Sequence, residues 1–113
     1  MSDEYSFTLP VPPSANRYWR IGNNRIVVTA EAKAYKQEIG YMLNGFDPLE
    51  NNVAVSFTVF RPAHRGDLDN YAKIMLDALQ GFVYHNDNQI VEIHSYREDD
   101  KENPRVEFLV YGV

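Results

Sequence analysis

The sequence predicts an α+β domain, a mixed β-sheet with two main helices packed on it, in a single unit spanning residues 1–113. Three observations lead there. Across Asn52–Arg61 the residues Val53, Val55, Phe57 and Val59 alternate with polar or small neighbours, the two-residue period of a strand. Across Ala30–Asn44 and Leu68–Phe82 apolar residues recur instead at intervals of three and four, the period of a helix with one buried stripe. Short β-rich segments flank these stretches on both sides, so the element order is β, ββ, α, β, α, β, β.

Tyr5–Leu9 alternates and forms the first strand. The following PVPPSANRYWR is an extended loop, because its prolines exclude helix and sheet interior. Tyr18–Ile21 pairs with Arg25–Thr29 across the turn Gly22-Asn23-Asn24. Thr29 caps the first helix, Ala32, Tyr35, Ile39 and Met42 form its buried stripe, and Gly45 ends it. Pro62 closes the strand Asn52–Arg61. The second helix buries Leu68, Ala72, Met75, Leu79 and Phe82 and stops at Gly81. Tyr84–Gln89 is an Asn- and Asp-rich turn, after which Ile90–Glu98 and Val106–Tyr111 form a hairpin across DDKENP.

Composition narrows the class. Hydrophobic residues make up 44%, an ordinary globular share. No apolar run approaches the roughly 18 residues that cross a bilayer, and MSDEYSFTLP lacks the charged-then-apolar pattern of a secretory leader. The absence of cysteine removes disulfides and thiolate metal sites and fits a reducing cytoplasm. A net charge of −5 runs against nucleic-acid binding, which depends on cations neutralising phosphates. The charge is uneven, however. Residues 10–45 hold Arg17, Arg20, Arg25, Lys33 and Lys36 against only Glu31 and Glu38, a locally basic arm on an acidic body.

The chemistry-bearing segment is RGDLDNYAK, Arg65–Lys73. Asp67 stands at an N-cap position and Asp69 in the first turn, where carboxylates stabilise free N–H groups and the helix dipole by roughly 0.5–2 kcal/mol. Capping alone accounts for both. The same two carboxylates also suit a hard divalent cation such as Mg²⁺, which takes oxygen ligands. A third carboxylate, Asp87, follows in the turn after the helix. A helix of about 13 residues carries the chain roughly 20 Å from its start. Asp87 therefore returns to Asp69 only if the next strand runs back along the helix or the turn folds over.

PPSANRYWR (Pro12–Arg20), FRPAHRGDLDNYAKIMLDALQG (Phe60–Gly81) and NDNQI (Asn86–Ile90), in this order and spacing, resemble the RusA-type Holliday junction resolvases over nearly the whole chain. The resemblance implies a homodimeric endodeoxyribonuclease that binds four-way DNA junctions and cuts two opposed strands symmetrically with Mg²⁺ or Mn²⁺, in the cytoplasm of a bacterial or phage-infected cell, with no membrane partner. It implies Asp67, Asp69 and Asp87 as catalytic metal ligands and Lys73 as the catalytic lysine. This chain departs from the family's doubled aspartate by carrying Asn86 before Asp87. Asn16, Arg17 and Arg20 fall in the family's N-terminal motif, and Arg61 and Arg65 flank the acidic segment; all five are candidate DNA contacts. For these the competing roles are a loop pinned by Trp19 and ion pairs with Asp67 or Asp69.

Around this core, Asp77 is expected to bridge to Lys73, and Lys33 and Lys36 to form a solvated helix face. His64, His85 and His94 have no zinc-like spacing and are expected in solvent. Tyr18, Tyr35, Tyr41 and Phe82 suit a core or an interface. Two other classes of function compete with the resolvase: a non-catalytic DNA-structure-binding protein of the same fold, and a structural domain with a capped helix and no DNA partner. The joint presence of Asp67, Asp69, Asp87 and Lys73 favours catalysis over both.

Overall fold

Strand β4 (Val53–Arg61) is the centre of the sheet. Val53, Val55, Phe57 and Val59 point to one face and are at most 1% exposed, each stabilising the fold by about 1.5–3 kcal/mol of transfer free energy. The computed structural model describes residues 4–13, 19–22, 25–28, 30–62 and 68–113, without the side chains of 19–22, 25–28, 69 and 70. On one side β4 pairs antiparallel with β6 (Arg105–Gly112), which pairs antiparallel with β1 (Glu4–Leu9). On the other side it pairs parallel with β5 (Ile90–Asp99), giving the order β1-β6-β4-β5. The hairpin of β2 (Trp19–Gly22) and β3 (Arg25–Val28) forms a separate two-stranded sheet, as its turn sequence predicts. Tyr18, the turn residues Asn23 and Asn24 and the proposed cap Thr29 lie outside the described residues.

The expected hairpin between the last two strands is not formed. β5 and β6 lie on opposite sides of β4, because the β-branched and aromatic alternation of β4 gives both strands an apolar neighbour that they do not offer each other. A parallel neighbour requires a crossover, and the helix α2 (Leu68–Leu79) supplies it. It packs against β5 and against α1 (Ala30–Met42). Tyr35, Ile39, Met75 and Leu79 meet Val55, Phe57, Phe108 and Val110 in the core. None of the described helices is long and apolar enough to cross a membrane.

Both helical stripes need correction. In α1 the buried residues are Ala32, Tyr35 and Ile39, continued by Leu43, while Met42 is 49% exposed. At about 100° per residue, positions 42 and 43 lie on either flank of the stripe, so periodicity does not separate them. In α2, Tyr71, Ile74 and Ala78 are buried beside Met75 and Leu79. The stripe is broader than predicted because the helix is covered on two sides, by the sheet and by α1. Gly45 and Gly81 follow the helices with φ of 90° and 91°, conformations that favour glycine.

At the end of the β4–β5 pair, Arg61 stands opposite Asp99. Arg61 is 5% exposed, and its Nε and NH2 donate to the Asp99 carboxylate at 2.9 and 2.8 Å. The next backbone N–H, of Asp100, donates to the Arg61 carbonyl at 2.7 Å. A buried guanidinium stripped of its carboxylate is costly, so Asp99→Ala is expected to lower stability by about 1–3 kcal/mol in urea denaturation. Tyr41→Ser, on a 76% exposed residue, is expected to change it by about 0.5 kcal/mol or less.

Candidate active site

The functional groups predicted from sequence fall at the two ends of α2. At its N-terminal end, Asp69 lies in the first turn, and Asp67 stands one peptide bond before Leu68, outside the described residues. The free N–H groups of a first turn favour carboxylates in this stretch. Lys73, one turn further on, is exposed, whereas Tyr71, Ile74 and Met75 are buried. Residues four apart share a helix face, so Asp69 and Lys73 are carried on the solvent side of α2. The expected bridge from Lys73 to Asp77 is not among the ion pairs of the described residues. The Asp77 charge acts instead on Lys36.

The C-terminal end of α2 is held by Lys36, which is not the solvated residue its sequence context suggested. Its ammonium donates to the carbonyls of Gln80 at 3.0 Å, Ala78 at 3.3 Å and Asp77 at 3.4 Å, and it lies 5.1 Å from the centre of the Phe82 ring. A cation at this position satisfies carbonyls that the helix end leaves unpaired and complements the dipole. Partial burial lowers the Lys36 pKa, and the Asp77 carboxylate opposes that shift.

Gln80 connects this end to Asp87. Its side-chain oxygen accepts the Asp87 N–H at 2.8 Å. Asp87 opens a single 3-10 turn, Asp87–Gln89, whose cap is Asn86. The Asn86 side chain accepts from the Asn88 N–H at 3.0 Å, and the Gln89 side-chain oxygen accepts the N–H groups of His85 and Asn86 at 2.8 and 2.9 Å. The Gln89 amide then donates to the carbonyls of Leu49 at 2.7 Å and Asn51 at 2.9 Å. Gln89 thus uses both ends of its side chain to fix the turn to the loop before β4, leaving the Asp87 side chain exposed. Asn86 serves as a cap, a role that aspartate and asparagine fill about equally well. Tyr84 lies beneath, donating its hydroxyl to the Leu76 carbonyl. Burial, followed by the charges of Asp87 and Asp77, pushes its pKa far above the usual tyrosine range, so it stays a neutral donor.

The two halves are therefore apart within one chain. From Asp69 to Gln80 the helix rises on the order of 16 Å. The sheet gives the same answer: Ile90 registers with Val53 and Asp99 with Arg61, so Asp87 and Asp67 lie beyond opposite ends of the β4–β5 pair. Ligands of one cation sit about 2.0–2.6 Å from it, a span this separation does not allow. Among the described residues no three carboxylate or imidazole groups gather as a metal site.

Of the other candidates, Arg20 lies in β2, with only its backbone described, while Asn16, Arg17, Arg65 and His64 are outside the described residues. Arg61, a candidate phosphate contact, is buried and committed to Asp99, which ties it to the end of the sheet. His85 is exposed, and His94 is exposed beside Glu92 at 2.5 Å. Tyr35 is in the core, donating to the Pro10 carbonyl at 2.9 Å, and Tyr41 is in solvent. Sequence reasoning gave no role to Lys36, Gln80 or Gln89. The signal for Gln89 was present as the capping-box spacing Asn86-x-x-Gln89; no local pattern announces the other two.

The profile of the family described as Endodeoxyribonuclease RusA matches residues 10–111. The chain belongs to this family. A relative from Enterobacteria phage 82, named crossover junction endodeoxyribonuclease rusA, is 32% identical over 113 residues, covering 94% of this chain and 92% of that protein. The RusA crossover junction endodeoxyribonuclease of Escherichia coli strain K12 is 33% identical with the same coverage, and that of Shigella sonnei strain Ss046 is 32% identical. The RusA match thus takes in both ends of α2, including Asp67, Asp69, Lys73 and Asp87.

Loss of the anchoring side chain in Gln89→Ala is expected to cost about 1–3 kcal/mol in urea denaturation. Asn86→Ala is expected to cost about 1 kcal/mol, and Asn86→Asp to remain within about 0.5 kcal/mol because it keeps the cap.

Proposed function

We propose that this protein is a divalent-metal-dependent endodeoxyribonuclease that resolves four-way DNA junctions as a homodimer, cutting two opposed strands, in the cytoplasm of a bacterial or phage-infected cell. Each active site would draw Asp67, Asp69 and Lys73 from one copy and Asp87 from the other. One observation carries this arrangement: a RusA chain presents its carboxylates at opposite ends of α2, too far apart to share an ion within a protomer.

The residues suit the chemistry once two copies combine. Asp67, Asp69 and Asp87 are hard oxygen donors and would hold Mg²⁺, or Mn²⁺ in its place, which supplies charge neutralisation and water activation for phosphodiester hydrolysis. Carboxylates brought together repel one another, so the site is poised for a cation. Lys73, exposed on the Asp69 face, is placed to bind a non-bridging phosphate oxygen as a point charge. Asn16, Arg17, Arg20 and Arg65 are the proposed phosphate contacts, and Arg61 contributes by holding the strand end. A twofold dimer sets two identical sites against the near-twofold symmetry of a junction.

Purified protein with Mg²⁺ is expected to make paired cuts in a labelled synthetic four-way junction and none in a matched linear duplex, with activity lost in Asp69→Asn and in Asp87→Asn. Junction binding without cutting in either metal would instead support a structure-binding protein. The shared site makes a further prediction. An equimolar, subunit-exchanged mixture of the two inactive variants is expected to regain cutting, because one site of each mixed dimer receives both intact halves. That dimer is expected to nick one strand of the junction without making the paired cut. Sites contained within single protomers would give no recovery at all.

A further inference from the structure

Strand β5 is an edge of the sheet, bonded to β4 on one side and to no other named strand. It is ten residues long, contains no proline, and exposes Val91 (56%), Ile93 (51%) and Tyr96 (56%), three of the six large hydrophobic residues that stand in solvent among the described residues. A long edge with apolar side chains is a template for another strand. We infer that the free edge of β5 pairs antiparallel with the same edge of a second copy, so that the two sheets join into one across a twofold axis normal to the sheet. This rests on the shared-site reading above and specifies the surface that creates it.

The positions of the site residues select this occupant. Asp87 lies just before the start of β5, and α2 begins near its end, where Asp99 registers with Arg61. In an antiparallel pair the start of one strand lies beside the end of the other. Asp87 of each copy is thereby brought to the end of the seam where the other copy carries Asp67, Asp69 and Lys73. A twofold axis normal to the sheet keeps both α2 helices on one face. Helices pack 8–10 Å apart, about the width of two strand spacings, so α2, which lies against β5, meets its counterpart across the seam. Ile93 registers with Val55 on the helix-covered face and would be enclosed beneath the two helices. Pairing through the opposite edge, β1, would leave both β5 strands on the outside and all four half-sites separate.

The sequence of β5 also favours a register. A perpendicular twofold pairs residues of the same face and sets one residue against itself. Centred on Ser95, the strand would place Glu92 opposite Glu98, a like-charge pair that is destabilising. Centred on His94, it places Glu92 opposite Tyr96 and Ile93 opposite Ser95, with no like-charged carboxylates opposed.

The natural chain has no cysteine, so single cysteines report this contact directly. Opposed residues of an antiparallel pair have Cα atoms about 4.5–5.5 Å apart, within disulfide range. Under mild oxidation His94→Cys is expected to give a covalent dimer, as is a mixture of Glu92→Cys with Tyr96→Cys. Glu92→Cys alone and Ser6→Cys on β1 are expected to give none. Ile93→Arg is expected to shift the protein from dimer to monomer in sedimentation while retaining its circular-dichroism spectrum. Cross-linking at Ser6 with none on β5, or a dimer undisturbed by Ile93→Arg, would overturn the β5 interface while leaving activity recovery in the mixed variants intact. A monomer at all concentrations, or no recovery, would remove the shared site itself and this interface with it.

Discussion

The parallel pairing of β5 with β4 is the constraint from which the rest of the molecule follows. Two neighbouring strands that run the same way need a connection that returns the full length of the sheet, and α2 is that connection. Its start is therefore near the end of β4, and its finish near the start of β5. The residues at the two helix ends, Asp67 and Asp69 at one and Asp87 beyond the other, are held apart by the same geometry that makes the fold. A hairpin of the last two strands would have left the position of Asp87 open. The inserted β4 fixes it.

The far end of α2 is built with more polar machinery than helix termination requires. Lys36 reaches across from α1 to three carbonyls of α2, Gln80 passes the connection to the Asp87 backbone, and Gln89 ties the same turn to the loop before β4. These bonds engage backbone groups of the segment that carries Asp87 and leave its carboxylate in solvent. An acid that must enter a site formed with another molecule needs a fixed backbone and an open side chain. Asn86 fits the same account, because its contribution here is the cap, which does not require a negative charge.

The overall charge of −5 acquires a meaning in this setting. Much of the acidity is in the two halves of the proposed metal site and along β5 and its following turn, where Glu92, Glu98, Asp99, Asp100 and Glu102 lie. Asp99 neutralises buried Arg61, and Asp100 is engaged by the Asn103 and Glu102 N–H groups and by Arg105, which holds its carboxyl below the usual range. These acids hold strand ends and a turn in place, so the net charge is a poor measure of the surface that would face DNA.

By itself the sequence determined the α+β class, the helix and strand periods, the glycine stops and, through the order of its motifs, the RusA family with its Asp67-Leu68-Asp69 and Asp87 acids. These are local properties: period, capping and turn chemistry act within a few residues, and a motif is read in order along the chain. It did not determine which strands pair, since the alternation of β5 and β6 suits a hairpin as well as two separate neighbours of β4. Nor did it assign Leu43 over Met42 to the core, the breadth of the α2 stripe, or the roles of Lys36 and Gln80. Each of those depends on what a distant segment brings alongside. Only the tertiary structure decided that the acids of one chain stand at opposite ends of a helix, because strand direction, not residue spacing, sets where the chain returns.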